Sequence, residues 1–233
     1  MIVLIQRLLF IILCVFVSPS IFSEVQRVDR TQNLGKKVEE SNSLKVSVQE
    51  LRKIQKDLQS YKYLALNFQQ SVYKKLRNKV IKNNGEVYFK KPSSFHWKFT
   101  KVDQEEWIYD GQTLMHFFPK KNEAYRYKAQ ATKGKNLREI VDIILNFDRL
   151  LERYTVFSSE RKNNNVYLKL VPKERGEISQ VELSLNTKAN YMNEVILSFE
   201  GGNKSTFSFS NPRNKEVKSS FLLPPKIKIL EPL

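Results

Sequence analysis

Large apolar residues alternate with polar ones on both sides of Pro92, within residues 85–107. These alternating residues are, in chain order, Val87, Phe89, Phe95, Trp97 and Phe99. Successive side chains of a β-strand point to opposite faces, so each run predicts a strand with one apolar face. Proline cannot donate to a β-ladder, which predicts that the two strands meet near Pro92. The rings either form an ordinary core or line a ligand site, and periodicity alone leaves both open.

The same kind of pattern predicts further strands and two helices. An amphipathic helix is predicted over residues 44–61 from the spacing of Val48, Leu51, Ile54, Gln55 and Leu58. A second helix of about four turns is predicted from Leu137, Ile140, Val141, Ile144, Leu145 and Leu151. Turns are predicted at Asn83-Asn84-Gly85 and Asp110-Gly111. About ten strands with two apolar helices indicate an α+β fold, in which a strongly curved antiparallel sheet has helices covering its concave side.

Residues 1–23 have the pattern of a secretory signal peptide. Arg7 is followed by an apolar run from Leu8 to Val17, and small residues follow at Ser18, Ser20 and Ser23. A retained membrane anchor is the alternative, although the run is short for a span of about 20 residues. Cys14 lies inside the apolar run, after Leu13, and is interpreted as part of the signal and not as a lipidation site. Residues 24–43 are predicted to be a flexible polar leader, and residues 44–233 a single domain.

The chain is strongly basic, with a formal net charge of +16. In a cytosolic protein such a charge would favour nucleic acid as the partner, and a basic nucleic-acid-binding module is the remoter alternative. In an exported protein it favours anionic lipid surfaces and acidic proteins. The basic residues are scattered along the chain, which is more typical of a solvated surface than of one binding stripe.

No pattern of catalytic or metal-binding residues is found. The two histidines, His96 and His116, lack metal-ligand spacing and are interpreted as surface or strand residues. The adjacent carboxylates Glu105 and Glu106 point to opposite faces of a strand, so they cannot act on one substrate. We therefore predict that the protein is not an enzyme and uses no cofactor or metal.

An ordered set of motifs resembles the LolA-type periplasmic carriers of outer-membrane lipoproteins. These motifs are Phe68-Gln69-Gln70-Ser71, Gly85-Glu86-Val87-Tyr88-Phe89-Lys90-Lys91-Pro92, Phe95-His96-Trp97, Asp110-Gly111-Gln112-Thr113-Leu114, Leu168–Lys173 and Phe221–Pro225. The resemblance covers roughly residues 48–229.

The resemblance implies an incomplete β-barrel with helices as a lid. It implies a soluble, monomeric periplasmic protein with no nucleic-acid partner. Such a protein takes acylated lipoproteins from an inner-membrane ABC exporter, shields their acyl chains and passes them to an outer-membrane acceptor. A carrier of another lipid or amphiphile, or an envelope sensor of the same fold, stays open as an alternative.

With the resemblance, the apolar positions are predicted to form a lipid-binding concavity. The predicted lining residues are Phe68, Val87, Phe89, Phe95, Trp97, Phe99, Met115, Phe117, Ile140 and Ile144. Lys91 matches an arginine with which the family holds its lid helices, so Lys91 is predicted to contact the lid. Lysine lacks the planar fork of arginine, which implies a weaker or different closure. Met115 matches a family aromatic residue and can still fill an acyl-lined space.

Overall fold

The computed structural model describes residues 45–58, 60–100, 104–128, 141–144, 147–214, 216 and 221–231. The helices are α1 (Val48–Leu58) and α2 (Phe147–Arg153), and residues 141–144 are also helical. The strands are β1 (Tyr63–Lys74), β2 (Lys79–Lys90), β3 (Ser94–Phe99), β4 (Glu106–Tyr109), β5 (Thr113–Phe118), β6 (Glu123–Lys128), β7 (Tyr154–Lys162), β8 (Asn165–Pro172), β9 (Ile178–Asn186), β10 (Tyr191–Phe199), β11 (Lys204–Arg213) and β12 (Lys228–Leu230). None of the described helices has the length and apolar character needed to span a bilayer.

All the strands belong to one sheet, in the order β12-β6-β5-β4-β3-β2-β1-β11-β10-β9-β8-β7. Neighbouring strands are antiparallel, except that β12 runs parallel to β6. The outermost strands, β12 and β7, do not pair with each other, so the barrel is incomplete. The predicted α+β fold with a large antiparallel sheet is confirmed, with twelve strands where about ten were predicted.

One face of the sheet carries most of the buried apolar side chains, and we call it the core face. Cross-strand pairs place Val87, Trp97 and Trp107 together on it. The apolar residues that the helical segments contribute to the same buried cluster are Leu51, Ile54, Val141, Ile143 and Leu150. Helices therefore cover the core face, as predicted. We call α1, residues 141–144 and α2 together the lid.

Hydrogen bonds close the start of α1 and the end of α2. At the start of α1, the Ser47 Oγ accepts a hydrogen bond of 3.2 Å from the Glu50 N–H, which caps an otherwise unpaired donor. At the end of α2, Lys173 donates from Nζ to the Leu151 carbonyl at 2.9 Å and from its backbone N–H to the Arg153 carbonyl at 2.9 Å. These bonds satisfy carbonyl groups that have no partner within the helix.

The predicted turn at Asn83-Asn84-Gly85 is wrong, because these residues lie inside β2. The chain turns earlier, at Lys75–Arg77, and Asn78 closes that turn in the left-handed conformation with φ 43°. Gly85 is required for a different reason. A Cβ on Gly85 would lie 1.8 Å from the Lys98 carbonyl oxygen. The glycine thus permits close approach of backbone inside the sheet, which gives the same sequence signal as a turn.

The predicted hairpin at Asp110-Gly111 is confirmed. Asp110 Oδ1 accepts hydrogen bonds of 2.8 Å from the backbone N–H groups of both Gln112 and Thr113. Gly111 has φ +107°, a conformation that other residues rarely adopt. The aspartate and the glycine therefore each have a separate role in the turn between β4 and β5.

The predicted helices and leader are only partly covered by the described residues. The first helix is α1, where Leu51 and Ile54 are buried and Val48 is exposed. The second is described as residues 141–144 and α2, whereas Leu137, Ile140 and Leu145 lie outside the described residues. The predicted signal peptide, residues 1–23, and leader, residues 24–43, also lie outside them and stay predictions.

Candidate functional site

Trp97 is the centre of a connected group of aromatic rings on the core face. Its ring centroid lies 4.9 Å from that of Phe68 and 6.3 Å from that of Phe89. It also lies 5.5 Å from the ring centroid of Phe207 and 6.2 Å from that of Phe209. The rings are tilted or edge-to-face, which is the favoured geometry for aromatic pairs. Strands β1, β2, β3 and β11 thus contribute to one apolar surface, which we call the aromatic wall.

The aromatic wall is buried beneath the lid in this structure. Phe68, Phe89 and Trp97 are each 2% exposed, and Phe95 is fully buried. Phe99 is partly buried and packs against the same cluster. These rings are therefore shielded from solvent in this arrangement.

The strand register places some of the predicted lining residues on the core face and others on the opposite face. Phe68, Val87, Phe89, Phe95, Trp97 and Phe99 all lie on the core face. Ile144 is partly buried and packs against the core, while Ile140 lies outside the described residues.

Met115 and Phe117 were grouped with these residues, and that placement is wrong. Met115 pairs with Ile108 and Phe117 pairs with Glu106, on the face opposite the core face. The core-face residues of β5 are instead its alternate members Leu114 and His116. A shift of one residue in a strand exchanges the two faces, and β5 is apolar on both.

Several core-face residues were missed by the sequence-based prediction. They are Leu64, Leu66, Trp107, Tyr109, Leu114, Tyr127, Phe207 and Phe209. For four of them the sequence carried the period-2 pattern of a strand face. Trp107 and Tyr109 are two residues apart, and so are Phe207 and Phe209. Burial raises the pKa of Tyr127, with a smaller contribution from the neighbouring Tyr125.

A cleft opens beside the aromatic wall, where the lid meets the end of β2. It encloses about 280 Å³ of empty space, open solvent included. Its lining residues are Leu58, Tyr61, Lys62, Leu64, Phe89, Lys91 and Ile144. Lys91 thus lies beside residues of α1 and of the 141–144 segment, and its backbone N–H donates to the Lys62 carbonyl at 3.1 Å. The Lys91–Pro92 peptide bond is cis.

Both histidines lie on strands, as predicted, but both are buried and neither is a surface residue. On the core face, His116 Nε2 lies 2.9 Å from a Glu105 carboxylate oxygen, and its ring stacks on Trp107 with the centroids 3.8 Å apart. On the opposite face, His96 Nε2 lies 2.7 Å from a Glu106 carboxylate oxygen. The adjacent glutamates therefore do serve opposite faces, each beside its own histidine.

A polar network lies on the face opposite the aromatic wall. Glu86 accepts hydrogen bonds from the Tyr88 hydroxyl at 2.7 Å and from Arg213 Nη2 at 3.0 Å. The bond from Tyr88 is the main cause that lowers the pKa of Glu86, and Arg213 adds to it. Burial, with the bond to Glu86, raises the pKa of Tyr88 to about 12. These bonds connect β2 to the end of β11 across β1.

The described ranges contain no group of three or more histidine, cysteine, aspartate or glutamate side chains that could hold a metal ion. The described part of the core face presents a covered apolar surface. Lys91 lies beside this surface at the cleft, and the His116–Glu105 pair lies at β5.

Comparison with known proteins gives matches along most of the chain. The family model described as "Outer membrane lipoprotein carrier protein LolA" matches residues 59–221. An outer-membrane lipoprotein carrier protein of Pectobacterium carotovorum is 25% identical over 163 residues, which are 69% of this chain and 76% of that protein. One of Serratia proteamaculans is 23% identical over 155 residues, 66% of this chain and 72% of that protein.

A solved structure has a similar fold at low sequence identity. A conserved protein of Thermus thermophilus superposes with a TM-score of 0.51 at 10% identity, covering 79% of this chain and 98% of that one. At that identity the likeness concerns the fold alone.

Proposed function

Since the chain belongs to the LolA family of outer-membrane lipoprotein carriers, we propose that it shields lipoprotein acyl chains on its aromatic wall and carries them through the periplasm. The family is one of carriers and not of enzymes. In this proposal the cargo is received from an inner-membrane ABC exporter and delivered to an outer-membrane acceptor. The signal pattern of residues 1–23 supports export to the periplasm.

The observation that carries the proposal is a continuous apolar wall whose buried cluster also includes residues of the lid. Rings from four strands meet at Trp97, and α1, residues 141–144 and α2 contribute apolar side chains to the same buried cluster. A helix of the length of α1, eleven residues, is marginally stable on its own and depends on its packing. Such a cover can be displaced without unfolding the sheet.

Acyl chains would occupy the space that the lid side chains leave. Leu51, Ile54 and Ile143 are buried against the wall, and acyl methylene groups can replace their contacts one for one. Burial of acyl chains contributes about 0.8 kcal/mol per CH₂ group. The lid side chains lose their own burial when acyl chains bind. The net affinity is therefore the difference between the free energy gained by burying the acyl chains and the free energy lost by exposing the lid. That difference suits a carrier, which has to release its cargo.

The cleft lined by Lys91 supplies a starting point for lid opening. Phe89 belongs to the aromatic wall, and Leu58 and Ile144 belong to two segments of the lid. An acyl chain that enters here would meet the wall and separate the two lid segments. The Lys91 ammonium group at the rim would remain near the polar head of the cargo.

A photo-crosslinking experiment tests where the acyl chains bind. A photoreactive amino acid at position 99, on the core face, is compared with the same amino acid at position 115, on the opposite face. Both positions are partly buried, so they are matched in exposure. Each protein is purified from the periplasm, irradiated and analysed by mass spectrometry. The expected result is a crosslinked lipoprotein or acyl chain at position 99 and none at position 115.

Three other outcomes are informative. Equal crosslinking at the two positions would contradict binding on the aromatic wall. Recovery of no lipoprotein or lipid, even after depletion of the outer-membrane acceptor, would contradict the carrier function. Recovery of a different amphiphile at position 99 would keep the site and would replace lipoproteins as the cargo.

A further inference from the structure

The turn between β1 and β2 carries a leucine that makes almost no contact with the protein. Leu76 is 97% exposed, whereas the other exposed large apolar residues of the described chain range from 38% to 71%. Single exposed leucines on a flat surface are common and need no explanation. Leu76, however, is the central residue of the turn at Lys75–Arg77 that joins the two strands of twelve residues.

The leucine is surrounded by basic residues. Residues 74–82 contain no acidic residue; of their five basic residues, Lys74 is buried, whereas Lys75, Arg77, Lys79 and Lys82 are exposed. Within this segment, residues 75–80 are all exposed, and Val80 adds a second exposed apolar side chain at 50%. We call residues 74–82 the basic hairpin tip. It combines the highest apolar exposure of the described chain with a local charge of one sign.

The basic hairpin tip extends past its neighbour on one side. Strand β2 pairs with β1 along its whole length, from Lys79 to Lys90, but with β3 only from Gly85 onwards. At about 3.3 Å per residue, the part of β2 that precedes Gly85 is roughly 20 Å long.

On the other side the tip is held in place. The backbone N–H of Lys75 donates to Asn203 Oδ1 at 3.1 Å, in the turn between β10 and β11. Leu76 is therefore presented on a fixed support at one end of the sheet.

We propose that the basic hairpin tip binds the surface of an anionic lipid bilayer, with Leu76 inserted between the headgroups and the exposed side chains of Lys75, Arg77, Lys79 and Lys82 against them. Apolar side chains flanked by lysine and arginine are the composition of segments that lie in the bilayer interface. Each basic residue close to an anionic surface contributes about fivefold in affinity. The site is separate from the aromatic wall, so the inference goes beyond the carrier function.

The shape of the tip favours a bilayer over an acidic protein as the partner. A specific protein interface typically buries about 800 Å² on each partner and is centred on a pocket filled by an aromatic or arginine side chain. The tip is a narrow turn with no groove and no exposed aromatic residue among residues 74–82. A bilayer needs no complementary pocket, because it deforms around a single inserted side chain.

Vesicle flotation with the cargo-free protein, purified from the periplasm, tests the proposal. The vesicles contain either phosphatidylcholine alone or phosphatidylcholine with phosphatidylglycerol. The charge variant Arg77→Gln/Lys79→Gln is compared with Lys162→Gln/Lys188→Gln, in which two exposed lysines are removed at the opposite end of the sheet. The apolar variant Leu76→Ser is compared with Leu222→Ser, because Leu222 is also exposed, at 70%.

The unmodified protein is expected to bind only the vesicles that contain phosphatidylglycerol. Arg77→Gln/Lys79→Gln is expected to weaken binding by about thirtyfold, as two basic contacts are lost. Leu76→Ser is expected to weaken it by about tenfold, corresponding to partial burial of a leucine. The two control variants are expected to bind nearly as the unmodified protein does. Thermal unfolding of every variant checks that the fold is retained.

Equal loss in the hairpin and control variants would reduce the effect to the net charge of the protein and overturn the proposal. So would undiminished vesicle binding by the hairpin variants, which would leave an acidic protein as the partner of this surface. Since no lipoprotein is present in the assay, its failure would not affect the carrier function. Failure of the crosslinking experiment would likewise leave the vesicle result standing.

Discussion

Phe68 and Phe99 lie on strands that flank β2 on opposite sides, yet their ring centroids are only 5.3 Å apart, at an interplanar angle of 85°. Both residues have Gly85 as their cross-strand partner on β2. Because glycine has no side chain, the two rings meet directly above the middle strand. The aromatic wall is therefore continuous from β1 to β3 at Gly85, where any other residue would place a side chain between the two rings.

Gly85→Ala is predicted to destabilise the protein by about 1–3 kcal/mol, the usual cost of forcing extra volume into a packed core. Its Cβ would lie 1.8 Å from the Lys98 carbonyl oxygen and 2.9 Å from Phe68 Cε1, so backbone and ring must both shift. The free energy of unfolding in urea measures the effect. Gly176→Ala is the control, because a Cβ there would meet nothing within 4 Å. Equal stability of the two variants would contradict the close approach at Gly85.

The tryptophans allow the site to be probed directly. The chain has only two, Trp97 and Trp107, so Trp107→Phe leaves Trp97 as the single reporter. A lipopeptide with brominated acyl chains is predicted to quench the emission of Trp97 strongly, since bromine quenches on contact and Trp97 is the centre of the aromatic wall. The same lipopeptide without bromine is the control. Quenching no greater than that control would exclude contact of the acyl chains with Trp97.

The order of the helices and strands could be predicted from the sequence wherever the apolar residues repeated with a single period. The runs that contain Phe89 and Trp97 alternate cleanly, and their strands and apolar face were predicted correctly. An Asp-Gly pair between two strands is typical of a hairpin turn, and Asp110-Gly111 forms one. These are local signals, and local hydrogen bonds and side-chain direction are enough to produce them.

The errors arose where local signals had two meanings. Residues 114–118 are apolar on both faces of β5, and only pairing with β4 decides that Leu114 and not Met115 lies on the core face. Gly85 follows two asparagines, which is typical of a turn. The glycine is instead required by the close approach of the Lys98 carbonyl oxygen, thirteen residues away. The contribution of β11 to the wall, through Phe207 and Phe209, depends on its position beside β1, which no local pattern reveals.

The network around Glu86 predicts how stability depends on pH at both extremes. Because folding raises the pKa of Tyr88 to about 12 from an ordinary value of 10, its contribution is complete below pH 10 and is lost as the pH rises from 10 to about 12. The pKa of Glu86 is lowered from 4.5, so its contribution is lost as the pH falls below that value.

Tyr88→Phe is the variant that tests this dependence. It is predicted to flatten the loss of stability between pH 10 and about 12, because phenylalanine has no proton to lose. Chemical unfolding of both proteins at a series of pH values measures the difference. Tyr167→Phe serves as the control, because Tyr167 is an exposed tyrosine on β8. A parallel decline of the unmodified protein and Tyr88→Phe would show that Tyr88 does not titrate as described.

Lys91→Leu is predicted to retain the fold and to slow the release of lipoprotein to the acceptor. The substitution adds an apolar side chain to the cleft beside Leu58 and Ile144, where it would contact bound acyl chains and favour their retention. Transfer of a radiolabelled lipoprotein from the purified carrier to acceptor-containing membranes measures the rate. Lys91→Arg is the matched control and is expected to transfer normally, since it keeps the charge. Normal transfer by Lys91→Leu would remove Lys91 from the mechanism.

The attachment of α1 to the sheet is predicted to control how readily the lid opens. Arg161 Nη2 on β7 pairs with the Glu50 carboxylate on α1, and the Ser159 hydroxyl donates to the Val46 carbonyl at 3.2 Å. Arg161→Gln is expected to cost about 1 kcal/mol of attachment, which corresponds to roughly fivefold faster hydrogen exchange of the α1 amides. Exchange in β1 and β2 should not change. Arg126→Gln, which removes the exposed pair with Glu231, is the control. Uniform acceleration across the sheet would mean that the Arg161–Glu50 pair stabilises the whole fold and does not specifically hold the lid.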